Sequence, residues 1–155
     1  IRVLRVDGSQ HMALGGEDVE KLIRTPEISM AASDVASCPS VRRALVALQQ
    51  KIAAGCDVVM DGRDIGTRVL PDADYKFFLT ASDKVRAQRR YDELKAKGES
   101  VTLQEVLEDV RRRDEQDTTR AESPLTMADD ATEVETDDLG IDEVVTVLMA
   151  LMGRF

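Results

Sequence analysis

Asp61-Gly62-Arg63-Asp64-Ile65-Gly66-Thr67 follows directly on the apolar run Val58-Val59-Met60. The apolar run predicts a short buried strand, so the heptapeptide becomes the loop at its exit, where open α/β sheets bind their ligands. Glycine lets the backbone approach a ligand, arginine offers a planar fork to phosphate, and aspartate accepts hydrogen bonds from amino and sugar groups. A nucleotide has all three partners. The alternative is a tight turn with a capping aspartate and a solvated arginine, and the heptapeptide alone does not decide between them.

Composition sets the class of protein. The 155 residues are 43% hydrophobic and 33% charged but only 3% aromatic, which predicts one globular domain with an aliphatic core. No apolar run approaches the ~20 residues of a membrane span. The net charge of −9 argues against nucleic acid or an anionic membrane as the main partner. His11, Cys38 and Cys56 have no metal-site spacing, so we expect no metal ligands in this chain and a reducing, cytoplasmic location.

The basic residues are biased towards arginine. The 21 basic residues are 15 arginines and 6 lysines. Arginine is preferred where a phosphate must be held in fixed geometry, although a codon bias of the genome would give the same excess. Several of these arginines fall in two predicted helices: Arg86, Arg89, Arg90, Arg111, Arg112, Arg113 and Arg120.

Strand and helix patterns alternate along the chain. A hairpin around Asp7-Gly8 opens it. The patterns that follow predict strands at 58–60, 76–79 and 131–135, and helices at 27–37, 41–54, 83–97 and 141–152. Ser82 caps the helix at 83–97 and Gly98 ends it, and a further helix runs from the Thr102/Glu105 capping box to about Asp117. This alternation is typical of a parallel α/β sheet flanked by helices.

One predicted helix face carries charges of both signs. Arg113, Asp117 and Arg120 have the spacing i, i+4, i+7, which places them on one side of a helix. Two guanidinium groups beside a carboxylate would suit a sugar phosphate, whereas a solvated ladder of ion pairs is the alternative.

A succession of motifs makes the interpretation specific. The chain closely resembles the bacterial cytidylate kinases through Ile23-Arg24-Thr25-Pro26-Glu27, Ala31-Ala32-Ser33, Val41-Arg42, Asp61 to Thr67, Pro71-Asp72-Ala73, Phe78-Leu79-Thr80-Ala81-Ser82, Arg86-Ala87-Gln88-Arg89-Arg90, Arg113-Asp114-x-x-Asp117-x-x-Arg120 and Pro124-Leu125. The resemblance implies a P-loop nucleoside monophosphate kinase fold. It also implies transfer of the γ-phosphoryl group of ATP to CMP or dCMP, with Mg²⁺ as cofactor.

The resemblance also assigns residues. It implies that Ser33, Arg42 and Asp64 read cytosine, and that Asp117, with Arg113 nearby, contacts the ribose. Cytosine offers an amino donor to a carboxylate and acceptors to an arginine, which agrees with that assignment. It further implies that Arg63 and Arg120 clamp the monophosphate and that Arg89 and Arg90 neutralise the transferring phosphoryl group. We therefore expect the catalytic groups to be Arg63, Arg89, Arg90 and Arg120.

The resemblance divides the chain as well. Residues 1–37 correspond to the C-terminal part of a CMP-binding insert, and residues 38–155 to the remaining kinase core with a short lid near 87–98. The phosphate-binding motif G-x-x-x-x-G-K-[ST] does not occur in these residues. We therefore expect a fragment with an incomplete sheet and no ATP site of its own, inactive alone and either marginally stable or self-associating.

Two other classes stay open. A non-catalytic module would bind CMP without phosphoryl transfer. An acidic helical interaction domain would bind no nucleotide, and its arginines could be replaced by lysine.

Overall fold

A computed structural model describes residues 2–36, 38–119 and 124–153, without the side chains of Pro26, Ser29 and Ser33. The chain divides into two compact units, Ile1–Leu45 and Val46–Phe155. The predicted insert, residues 1–37, falls within the first unit.

The first unit begins with a three-stranded antiparallel sheet. Strands β1 (Arg2–Val6), β2 (Ser9–Leu14) and β3 (Glu17–Asp18) lie in that order, and Val3 pairs with Met12. The predicted hairpin is confirmed: Asp7 and Gly8 have φ values of 49° and 83°, the left-handed pair that a tight two-residue hairpin turn requires. Strand β3 was not predicted, because two acidic residues give no apolar pattern and become a strand only by pairing with β2.

Two predicted helices follow. Helix α1 spans Pro26–Ala36, and the Thr25 hydroxyl caps it by accepting a hydrogen bond from Ile28 N at 3.3 Å. Helix α2 spans Pro39–Ala53 and begins at a proline, whose missing N–H costs nothing in the first turn. The boundary between the two units falls within α2.

The second unit contains the parallel sheet that the alternation predicts. Strand β4 (Phe77–Thr80) pairs in parallel with β5 (Thr132–Glu135), and Leu79 lies opposite Val134. Helices α3 (Asp83–Ala96) and α4 (Leu103–Thr119) lie between these strands in sequence, and α5 (Ile141–Leu151) follows β5. The α/β fold class is therefore confirmed in its parallel sheet and accompanying helices.

The helix caps form where the local sequence predicts them. Val85 N donates to the Ser82 hydroxyl at 3.3 Å, and Gly98, with φ of 81°, follows the end of α3. The capping box before α4 is complete: Thr102 N donates to Glu105 Oε2 at 2.8 Å and Glu105 N donates to Thr102 Oγ1 at 3.2 Å.

The apolar core of the second unit includes the packing of α3 on α4. Ala87, Leu94 and Val106 are buried there, with Tyr91 and Val110 partly buried against them. Burial of a leucine or valine side chain contributes about 1.5–3 kcal/mol, so this contact holds the two helices together.

The predicted strand at Val58–Met60 is wrong. Residues 57–60 have no regular secondary structure, and the Val59 side chain is fully exposed. A strand requires a neighbouring backbone for its hydrogen bonds, and no described residue supplies one to this run. In the described ranges, no helix is long and apolar enough to cross a membrane.

Candidate functional site

The Arg63 loop, residues 61–70, ends in a π-helical turn rather than the simple loop that the sequence predicts. The turn spans Ile65–Val69, with Val69 N donating to Asp64 O at 3.2 Å and Leu70 N donating to Ile65 O at 2.7 Å. Val69 is fully buried and anchors the turn in the unit. Such turns are rare and are frequent at functional sites.

Asp64 opens this turn and is almost completely buried, with 2% of its surface exposed. Gly62 permits the tight approach before it, because a Cβ there would lie 2.9 Å from Ile65 Cγ1. Burying a carboxylate costs free energy unless it is hydrogen-bonded or paired, so the position of Asp64 depends on polar contacts as well as on packing.

Arg63 and Asp117 form the ion pair of the site. Arg63 Nε donates to Asp117 Oδ2 at 2.8 Å, joining the loop to α4 across 54 residues of sequence. Asp117 is 8% exposed, whereas half of the Arg63 side chain is exposed. The two terminal nitrogens of Arg63 donate no hydrogen bond to any of the residues described, so its outer edge faces solvent or a ligand.

The Lys76 side chain packs against the Arg63 loop and bonds the residue that follows it. Its Nζ donates to the Pro71 carbonyl and to both oxygens of Asp130, at 2.7 and 2.6 Å, and only 7% of its side chain is exposed. This pairing lowers the pKa of Asp130, chiefly through the Lys76 hydrogen bond. A Cβ on Gly66 would lie 3.4 Å from Lys76 Cδ, so the lysine stem packs against the π-helical turn.

Two further ion pairs join α3 to α4. Arg86 forms a fork with Asp114, at 2.7 Å from Nη1 and 2.6 Å from Nη2, and Arg111 Nε donates to Asp83 at 2.7 Å. The Asp114 hydrogen bonds raise the pKa of Arg86, and the Arg111 hydrogen bond lowers the pKa of Asp83.

The two arginines assigned to phosphoryl transfer have different surroundings. Arg89 binds the segment after β5: it donates to Thr136 Oγ1 at 3.2 Å, to the Thr136 carbonyl, and to Leu139 O at 3.1 Å. Arg90 donates to Glu93 within α3 at 2.7 Å. Arg89 therefore ties α3 to the carboxyl end of β5.

The other predicted residues are placed as follows. Arg113 is exposed on α4, one turn before Asp117, and pairs with no side chain in the described part of the chain. Arg42 lies half-buried in the first turn of α2, and Ser33 lies in α1. Arg120 is outside the described residues. Of the predicted set, the structure brings Arg63, Asp64 and Asp117 to one loop and the end of one helix.

Comparison with known proteins identifies the family. The family model described as "Cytidylate kinase" matches residues 3–154. The chain is 49% identical over 154 residues to the cytidylate kinase of Carboxydothermus hydrogenoformans, covering 99% of this chain and 69% of the relative. The chain belongs to the cytidylate kinase family.

Other cytidylate kinases are similarly close. The enzyme of Caldanaerobacter subterraneus subsp. tengcongensis is 54% identical over 142 residues, covering 92% of this chain and 63% of the relative. That of Bacteroides fragilis is 50% identical over 143 residues, covering 92% and 62%. The chain therefore spans about two thirds of the length of these cytidylate kinases.

In this member of the cytidylate kinase family, sequence reasoning did not identify the ion pairs that hold the elements of the candidate site in place. Lys76 and Asp130 are 54 residues apart, and Arg86 and Asp114 are 28 apart, so helix spacing gives no signal for either pair. The excess of arginine and the motif Arg86-Ala87-Gln88-Arg89-Arg90 drew attention to Arg86, but neither gave it a partner.

Proposed function

We propose that this chain binds CMP or dCMP as the acceptor for the γ-phosphoryl group of ATP, giving CDP or dCDP. The observation that carries the proposal is the buried Asp64 beside the half-exposed Arg63, which Asp117 orients. In this assignment the chain supplies the CMP-binding residues and the lid near 87–98 of a nucleoside monophosphate kinase.

Asp64 is suited to reading the base. Its carboxylate, almost fully buried, is a strong acceptor for the exocyclic amino group of cytosine in a region from which water is excluded. The family resemblance assigns Arg42 and Ser33 to the same cytosine ring.

Arg63 is suited to the monophosphate. Asp117 holds Nε, which leaves the two terminal nitrogens of Arg63 to bind two phosphate oxygens in parallel. Asp117 would contact the ribose as well, with Arg113 on the same helix. Positioning of this kind supplies much of phosphoryl-transfer catalysis, since the reaction requires little covalent chemistry from the protein.

Arg89, Arg90 and Arg120 would counter the charge that spreads over the transferring group. The contacts of Arg89 to Thr136 and Leu139 place it where parallel strands end, the edge at which such sheets bind ligands.

Mg²⁺ would supply charge neutralisation at the ATP phosphates. In residues 2–36, 38–119 and 124–153, no group of three or more His, Cys, Asp or Glu side chains could hold a metal ion. Mg²⁺ that accompanies a nucleotide is usually held by one or two carboxylates together with phosphates and water, and no step assigned to this chain depends on it.

A second candidate is a CMP-binding module without transferase activity. Such a module would keep the CMP contacts assigned to Arg63, Asp64 and Asp117 and would lack the transfer step. Calorimetric titration with CMP, alongside a coupled assay for CDP, separates the two.

We expect the 155-residue chain to bind CMP and to form no CDP from ATP. The same residues extended upstream with a phosphate-binding loop should form CDP. CMP binding without turnover in both chains supports the module, and failure of the folded chain to bind CMP overturns both candidates.

A further inference from the structure

The ion pairs between α3 and α4 differ in what they join. Asp83 and Arg111 link the first turn of α3 to the middle of α4. Arg86 makes an additional bond, from Nε to the Ala81 carbonyl at 2.9 Å, directly after β4. Its guanidinium therefore bridges the carboxyl end of β4 and Asp114 of α4.

The Arg86–Asp114 fork constrains orientation more than it adds stability. Both side chains are 38% exposed, so solvent weakens the attraction between them. Two parallel N–H···O bonds nevertheless fix the plane and the direction of the pair, which a single contact does not.

Asp114 lies three residues before Asp117, on the same face of α4. The backbone on this side of the helix end is tied as well, because Leu125 N donates to Asp117 O at 2.7 Å. A rotation of α4 about its axis would move the Asp117 carboxylate away from Arg63 Nε, now 2.8 Å distant.

We propose that Asp114 is a positioning residue: held by Arg86, it sets the rotation of α4 that brings Asp117 onto Arg63. The proposal rests on the proposed function only for its effect on CMP. It deepens that function by adding the residues that position the phosphate-binding Arg63. A series of contacts runs from the end of β4 through Arg86 and Asp114 to Asp117.

The direct test is the Arg63 Nε–H resonance in the proton–nitrogen NMR spectrum of the 155-residue chain, assigned by its loss in Arg63→Lys. Asp114→Asn keeps the shape of the side chain but removes its charge. It should shift and broaden the Arg63 signal, because the contact to Asp117 loosens. The matched control is Arg111→Gln, which breaks an ion pair between the same two helices and should leave the signal in place. An unchanged Arg63 signal in Asp114→Asn overturns the proposal, as does an equal change in Arg111→Gln.

The second measurement is CMP affinity in a double-mutant cycle. Asp114→Asn should weaken binding roughly fivefold in the parent chain and hardly at all in an Asp117→Asn background, since residues that act through one another are not additive. Equal loss in both backgrounds indicates a merely structural role and overturns the proposal. If the parent chain binds no CMP, the proposed function fails, whereas the Arg63 resonance still decides the positioning role.

Discussion

At the scale of single residues, the candidate site contains two carboxylates in different surroundings. Asp117 accepts a hydrogen bond from Arg63 Nε, which orients the guanidinium group. Asp64 begins the π-helical turn and is the more buried of the two carboxylates. A buried carboxylate is costly to desolvate unless it is hydrogen-bonded or paired, so replacing Asp64 by an apolar residue would remove a polar group that the surrounding fold accommodates.

Replacing Arg63 by lysine tests whether CMP binding needs only a positive charge at this position or also the planar guanidinium group. Lysine keeps the positive charge but cannot bind Asp117 and two phosphate oxygens with one planar group, so CMP affinity should fall roughly tenfold. The control is Arg112→Lys, because Arg112 lies on the surface of α4 and, among the described residues, pairs with Asp109 alone, at 2.7 Å. Calorimetry would contradict the assignment if both variants bound CMP like the parent.

Asp130 should make stability depend on acid pH. Lys76 lowers the pKa of Asp130 below its unfolded value of about 3.9, so its stabilisation is complete above that value and is lost as the pH falls through the folded pKa. Asp130→Asn should therefore lower the melting temperature near neutral pH and flatten its decline between about pH 5 and pH 2.

The neighbouring variant Asp129→Asn provides the control, because Asp129 has no ion pair among the residues described. Thermal unfolding followed by circular dichroism measures both variants. Identical pH profiles for Asp130→Asn and the parent would show that the Lys76 pair does not stabilise the fold.

At the scale of elements, sequence predicts best what neighbouring residues determine. Ser82 and the Thr102–Glu105 box cap their helices because the donors lie three residues away. Val58–Met60 has the composition of a strand, but pairing depends on a distant backbone that local sequence cannot specify. The π-helical turn escaped prediction because its i to i+5 bonds have no residue signature.

The packing of α3 on α4 can be tested with two leucines of that helix pair. Leu94 is buried in their shared core and Leu103 is exposed at the start of α4. Leu94→Ala should cost about 2–4 kcal/mol in the free energy of unfolding, since it leaves a cavity as well as removing apolar contact. Leu103→Ala should cost less than about 1 kcal/mol. Urea denaturation that finds similar costs for both would contradict this core.

At the scale of the whole molecule, apolar surface remains uncovered. Helix α5 buries no residue completely, and Ile141, Val145 and Met149 lie on one exposed face at four-residue spacing. Contiguous apolar surface of this kind drives association in water.

We therefore expect the 155-residue chain to associate as its concentration rises. Val145→Ser should reduce that association, whereas Thr146→Ser on the neighbouring face should not. Sedimentation velocity over a range of concentrations measures both. A monodisperse monomer with cooperative thermal unfolding would contradict the expectation.

Sequence also predicted more of the candidate site than local patterns explain. The motif order indicated Arg63, Asp64 and Asp117 together, although Arg63 and Asp117 are 54 residues apart, because the family resemblance carries long-range information that periodicity does not. The structural roles of Lys76 and Asp114 were not predicted, because their partners lie far away in sequence and come close only in the folded chain.

The most direct test of the account is a crystal structure of the chain with CMP bound. We expect Arg63 on the phosphate, Asp64 within hydrogen-bond distance of the cytosine amino group, Arg42 on the base and Asp117 at the ribose. A CMP molecule bound away from the Arg63 loop, or touching Arg63 while Asp64 and Arg42 contact no part of it, would contradict the account.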